Sequence, residues 1–228
     1  MKKTVHSKNS FHILIWDIKD NRKGDFLMKK LFVILLALML CFAGCSGEDE
    51  FVPERGKVEN GIYKNSAFGI SFSADESWYY FTDSEIAETM GFTAEELLSE
   101  DYANVLEEVE MIHDMYCVSE SGATVNINYE NTGLVYGGII DEETYVEVAS
   151  EQLEAQVGGG IGLARNEIGT VEISGKEVPC LFVELELSGT RIYEIIAVKK
   201  VENWVGVITC ASLSEDELPE IIEKISFE

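Results

Sequence analysis

Histidine is scarce in this chain: three occur among 228 residues, and only His113 lies beyond Cys45. A Ser-His-Asp arrangement would have to use that single imidazole, and no Gly-x-Ser-x-Gly turn is present to expose a nucleophile. His-Glu-x-x-His helices and paired-cysteine knuckles are also missing. His113 and Cys117 stand four apart, but two ligands do not hold a zinc ion, and both are read as structural. Long apolar runs are absent as well. The longest, residues 31–42, has twelve residues, short of the roughly 20 that a helix needs to cross ~30 Å of hydrocarbon. Positive charge is in short supply, with 17 basic against 42 acidic side chains. Eight of the basic and three of the acidic ones precede Cys45, which leaves nine against 39 beyond it. Such a surface repels phosphate backbones and anionic lipid, so nucleic acid and electrostatic membrane docking are excluded as partners.

What is present near the N-terminus reads as an address. Met28, Lys29 and Lys30 form a short basic region, and residues 31–42 have the length of a secretory signal's apolar core. Ala43-Gly44-Cys45-Ser46-Gly47 then resembles a bacterial lipobox: two small residues, a cysteine, and flexible polar residues. In a lipobox the thiol receives diacylglycerol and the cysteine becomes the new N-terminus. Phe42 stands where Leu is usual, and Cys41 is the poorer candidate because Leu40 precedes it. The expectation is a signal peptide over 28–44 and lipidation at Cys45. The lipid would attach the protein to the cell membrane on its extracytoplasmic face. A buried core helix that happens to carry cysteines is the alternative. Residues 1–27 show no helical or strand period. Arg22-Lys23-Gly24-Asp25 fits the translation of a purine-rich ribosome-binding site, so this stretch is read as an upstream extension, with Met28 the true start.

Beyond Cys45, residues 45–60 are polar and acidic and read as a flexible tether. Residues 61–228 contain no second linker and no repeat, which makes them one domain. Phe68, Ile70 and Phe72 alternate as a half-buried strand. Thr82 with Glu85, and Thr93 with Glu96, have capping-box spacing. Residues 101–118 fit either a helix, through Val105, Val109 and Ile112, or a strand, through Met111, His113, Met115 and Cys117. Val125, Ile127 and Tyr129 form a strand after a turn at Ser121-Gly122. Residues 141–156 read as a helix with Tyr145, Val148, Ala149 and Leu153 on one face, stopped at Gly158-Gly159-Gly160. Val171 and Ile173 lead to a turn at Ser174-Gly175-Lys176, followed by a strand with Leu181, Val183, Leu185 and Leu187 on one face. Residues 191–200 and 204–211 are apolar on both sides and should be central strands. Pro219 delays the final helix until about that residue. Short turns between successive strands imply an antiparallel sheet, and the class is α+β.

Tyr63, the run Phe68-Gly69-Ile70-Ser71-Phe72, the turn to Trp78, Ile173-Ser174-Gly175 and the closing Ile225-Ser226-Phe227 together resemble PsbP-like domains over residues 62–228. Asp75-Glu76-Ser77-Trp78 stands where that family commonly has Pro-x-Gly-Trp. The resemblance implies an antiparallel sheet with helices packed on both faces. It also implies a binding or assembly scaffold, often carried on a lipoprotein.

The remaining motifs carry no chemistry. Gly158-Gly159-Gly160-Ile161-Gly162 follows a helix instead of opening one, so it is a connector and not a phosphate loop. Asn126, Asn128 and Glu130 mimic the start of a calcium loop, but its sixth place holds Asn131 and its twelfth Gly137. The acids among residues 95–110 read as a solvated face, with loose Ca²⁺ or Mg²⁺ binding as the alternative. Cys117, Cys180 and Cys210 read as buried hydrophobes, with one disulfide or a reactive thiol as alternatives. Tyr79, Tyr80 and Phe81 are either a binding edge or core. No catalytic, metal or cofactor residue is assigned, and no cofactor is expected. The reading is a non-catalytic envelope lipoprotein that engages an envelope protein partner. A small-ligand or divalent-cation binder is the second reading, and an envelope hydrolase the remote third.

Overall fold

The computed structural model describes residues 51, 53–90, 111–133, 140–157 and 161–228, all within one compact unit, Leu40–Glu228. Cys45, the expected signal peptide at 28–44, Thr93 with Glu96, the acids at 95–110 and the glycines at 158–160 lie outside the described residues. Eleven strands make two antiparallel sheets among the described residues. The small sheet has the order β1-β2-β3-β11, from Lys57–Glu59, Ile62–Asn65, Ile70–Ser73 and Ile225–Phe227. The large sheet has the order β4-β5-β6-β10-β9-β8-β7. Its strands are β4 (Trp78–Tyr80), β5 (Met111–Ser119), β6 (Thr124–Asn131), β7 (Ile161–Ile173), β8 (Lys176–Leu187), β9 (Thr190–Val201) and β10 (Trp204–Ser212). Three α-helices, α1 (Asp83–Met90), α2 (Glu142–Gln156) and α3 (Leu218–Ile222), and a 3-10 turn at Glu215–Glu217 complete the described elements.

Local sequence explains the connections. Asn60-Gly61, Ser174-Gly175 and Ser188-Gly189 are two-residue turns in which both residues have positive φ. This is the type I′ geometry whose twist matches that of the strands it joins. These turns set the register of the β1–β2, β7–β8 and β8–β9 pairs. Thr82 and Glu85 satisfy each other's backbone N–H groups at the start of α1, as the capping-box spacing predicts. Asp141 accepts from Thr144 N at the start of α2. Pro219 occupies the first turn of α3, where its missing N–H is harmless.

The main core lies between the two sheets. Tyr63, Phe68, Ile70 and Phe72 of the small sheet and its turn meet Ile112, Ile127, Tyr129, Ile208 and Cys210 of the large one. Phe68 stacks on Tyr129 at 4.0 Å between ring centroids. A Cβ added at Gly206 would stand 3.1 Å from the Phe68 ring, so glycine suits the close approach of the sheets at this point and a larger residue would have to push that ring aside. α3 extends this core with Leu218, Ile221 and Ile222. α2 lies across the opposite face of the large sheet, over β7, β8 and β9.

Four expectations change. Where helices were expected on both faces of one sheet, the described residues cover one face chiefly with a second sheet and only a five-residue helix. Lys57–Glu59, expected within a flexible tether over residues 45–60, instead pair with β2 as a strand. All three are exposed, so β1 has no apolar alternation to read. Residues 161–170 were not read as a strand yet form most of β7, an edge strand that pairs only with β8 among the described residues. Arg165, Asn166 and Glu167 hide its period. On α2 the buried face carries Val146 and not Val148. The ambiguity at 101–118 resolves as strand from Met111 onward.

Candidate functional site

Two polar groupings are buried, one on each face of the large sheet. The first starts from a break in alternation. His113 pairs with Asn128 and Met115 with Ile127, so Asp114 is an extra residue, a β-bulge that turns its carboxylate toward the small sheet. The Asp114 side chain is fully buried. It accepts from the Gly56 backbone N–H at 2.8 and 2.9 Å, from Asn65 Nδ2 at 2.9 Å and, through a short bond, from the Tyr63 hydroxyl. Tyr63 has spent its one proton on Asp114, so its oxygen accepts from Tyr129 at 2.7 Å. Burial, followed by the Asp114 charge, pushes both phenols well above the usual tyrosine range and keeps them neutral donors. Arg55 brackets the group, with its Nη1 2.8 Å from Asp83 and its Nη2 donating to the Asp114 carbonyl at 3.0 Å. Trp204 Nε1 donates to the Phe51 carbonyl at 2.7 Å, a second tie to the same stretch of chain.

This arrangement is a rivet. A general base needs a lone pair facing substrate, whereas Asp114 is sealed between the sheets and its oxygens are taken by the protein's own donors. What it does chemically is hold residues 54–56, the root of the N-terminal segment, against β5. Gly56 is part of the device: a Cβ there would sit 2.8 Å from the Lys64 carbonyl.

The second grouping lies on the α2 face. Strand alternation places Thr124, Asn126, Asn128 and Glu130 of β6 there, opposite to Val125, Ile127 and Tyr129. His113 Nδ1 donates to Asn128 Oδ1 at 3.0 Å, and Asn128 Nδ2 donates to Asn126 Oδ1 at 3.1 Å. The acceptor role of Asn128 Oδ1 puts the imidazole proton on Nδ1. Burial lowers the His113 pKa, with the Arg55 charge acting in the same direction, so the ring is neutral near pH 7. Tyr145 of α2 donates to Glu130 at 2.6 Å. Thr209 and Glu194 add two more buried polar side chains on β10 and β9. Neither Glu194 oxygen has a hydrogen-bond partner, and desolvation raises its pKa to about 7.

The residues singled out from sequence distribute as follows. His113, Asn126, Asn128 and Glu130 do come together, but along paired strands that cannot wrap an ion as a calcium loop does. Among the described residues no group of three or more metal-ligating side chains forms. Tyr79, Tyr80 and Phe81 are half-buried: Tyr79 donates to Glu85, Tyr80 to the Phe72 carbonyl, and Phe81 packs edge-on against Tyr116. They belong to the β4 edge of the core. Cys117, Cys180 and Cys210 are free and buried. Burial pushes the Cys117 and Cys180 thiols up to about 12 and Cys210 higher still. At neutral pH none is a thiolate, so alkylation of these three is expected only in denaturant, as read by intact mass. Modification of the native chain at any of them would contradict the packing.

Sequence reasoning missed Asp114 and Glu194. Glu194 left a signal, a lone acid inside a strand otherwise apolar on both sides. Asp114 left none, because its role depends on a bulge.

No family model matches the sequence, and no curated protein matches it. Among solved structures, the chain is similar to the cyanobacterial PsbP of Synechocystis sp. PCC 6803, with 8% identity and a TM-score of 0.44 over 81% of this chain and 98% of that one. It is also similar to LpqN of Mycobacterium tuberculosis, described as involved in cell envelope biogenesis. The identity there is 12% and the TM-score 0.37, over 69% of this chain and 82% of that one. A Bacteroides thetaiotaomicron protein matches at 11% identity and a TM-score of 0.39, over 75% of this chain and 49% of that one. At TM-scores below 0.5 these likenesses carry no functional argument.

Proposed function

We propose that this chain is a lipoprotein, anchored through Cys45 on the extracytoplasmic face of the cell membrane. Its PsbP-like domain would act there as a non-catalytic interaction module of the envelope. The observation that supports it best is the rivet at Asp114, which fixes Arg55 and Gly56 to the large sheet. With Phe51 tied to Trp204 as well, six Cα steps separate the anchor from the domain. At about 3.5 Å per step that is a reach of at most about 20 Å, which holds the domain close above the bilayer. A domain bolted to its own leash at the root transmits position. That suits a module that must meet a membrane-bound partner.

Metabolic labelling with a fatty acid is expected to mark the wild-type protein in the membrane fraction, and Cys45→Ser is expected to remove both label and membrane retention. Unchanged labelling of Cys45→Ser would overturn the anchor. Cross-linking of the lipidated protein in cells is expected to enrich one envelope protein. A second reading, binding of a small ligand, is favoured by the buried polar face under α2.

A further inference from the structure

β7 has 13 residues, more than any other described strand, and one of its two edges is open among the described residues. The strands at the other sheet ends, β1, β4 and β11, have three residues each. The turn at Ser174-Gly175 fixes which backbone groups of β7 point outward. Ile173 and Lys176 close it as a hydrogen-bonded pair, so Val171, Gly169 and Glu167 bond to β8 as well. The alternate residues, Glu172, Thr170, Ile168 and Asn166, turn their N–H and C=O groups away from β8. Pro179 agrees with this phase, since it stands opposite Thr170, a position at which β7 needs no N–H. Among the described residues no backbone group bonds the outward set.

An open edge of this length is usually guarded by Lys, by Pro or by inward charge. Residues 161–171 contain neither Lys nor Pro. They carry one Arg and one Glu, no net charge in a chain whose net charge is −25, so a copy of the chain is repelled least here. Ile168 lies on the α2 face with Asn166, whose side chain donates to the Ser150 carbonyl of α2 at 3.1 Å, yet Ile168 is 49% exposed. An antiparallel second copy centred on Ile168 pairs residues 165–171 with the same residues in reverse, clear of the bulge at Ala164. The outward groups of Asn166 then meet those of Thr170 of the copy. Ile168 meets itself, with about 5.5 Å between Cα atoms. The two exposed isoleucine side chains become neighbours. Glu167 faces Gly169 and Arg165 faces Val171, so no like charges are opposed. Centring on Glu167 instead would set that acid against itself.

We propose that this chain forms a two-fold dimer through β7. The two large sheets join edge to edge into one continuous antiparallel sheet, with α2 of both copies on the same face. The dimer goes beyond the anchor reading and does not require it.

The test is cross-linking of the full-length chain in detergent by a bis-maleimide with a two-carbon spacer. Cys41→Ser and Cys45→Ser remove the thiols outside the described residues, and the other three are buried. Salt at about 0.3 M screens the exposed acids of α2. In this background Ile168→Cys is expected to give a covalent dimer. Glu172→Cys is expected to give none, because its counterpart stands eight strand positions away, about 27 Å. Thr170→Pro removes an N–H that the single chain does not use, so it keeps the fold, and it is expected to abolish the Ile168→Cys dimer. Continued resistance of the native thiols to maleimide reports that this variant is folded. No dimer from Ile168→Cys would overturn the proposal, as would equal yields from the two cysteine variants. A dimer that survives Thr170→Pro in a folded chain would overturn it too.

Discussion

Asp114→Ala is expected to lower the free energy of unfolding by about 3–5 kcal/mol, read from urea titration. The reasoning is an inventory of what the carboxylate leaves behind. The Gly56 N–H, the Asn65 amide and the Tyr63 hydroxyl all lose an acceptor. A buried donor left unsatisfied costs about 1–3 kcal/mol. Arg55 keeps Asp83 and is partly exposed, so its loss is the smallest of the set. Asp114→Asn retains the shape and one acceptor oxygen, and about half the penalty is expected for it. The variant also has a local signature. Residues 54–56 should become accessible to protease while β8, β9 and β10 keep their amide protection. An Asp114→Ala chain as stable as the wild type would mean that the donors find other acceptors and that the root is not fixed there.

The second large effect is a dependence on pH that belongs to Glu194. Desolvation raises its pKa from an ordinary 4.5 to about 7. Below about pH 4.5 the acid is protonated folded or unfolded, and its contribution to stability is fully present. As pH rises, the unfolded chain releases the proton while the folded chain still holds it, and the contribution falls. It is lost as pH passes through about 7. At 1.36 kcal/mol per unit, the whole change is about 3 kcal/mol. Glu194→Gln does not titrate. The wild-type stability minus that of the variant, from urea unfolding in tetramethylammonium buffers, is therefore expected to fall by about 3 kcal/mol between pH 4 and pH 8.5. The other carboxylates cancel in that difference. A difference that stays constant with pH would place a donor or water on Glu194.

Much of the β7–β10 meander is legible in the sequence because its signals are local. Ser174-Gly175 announces a turn, and residues 191–200 and 204–211 are apolar on both sides as central strands must be. The capping box at Thr82 and the cap at Asp141 are equally short-range. What stays hidden depends on contacts distant in sequence. β1 is exposed throughout, so nothing in Lys57–Glu59 distinguishes a strand from a tether until β2 is beside it. The polar side of β6 looks solvated because alternating Asn and Glu usually are. In the fold those residues are interior, and Tyr145 of α2 reaches one of them, Glu130. Asp114 lies outside any pattern, since a bulge is an exception to the period by which strands are read.

The order in which the two sheets can form also follows from their connectivity. β7 to β10 are joined by tight turns and pair with their immediate successors, so little chain has to be closed to assemble them. The small sheet is the opposite case: the Ser71–Ser226 contact closes a loop of 155 residues. Such a closure is slow and comes late. During synthesis β1 to β3 are made long before β11. Until then Ile70 and Phe72 have no β11 beside them. The small sheet therefore closes only once β11 is in place, and until then β3 stands without its last neighbour while the large sheet can already be built.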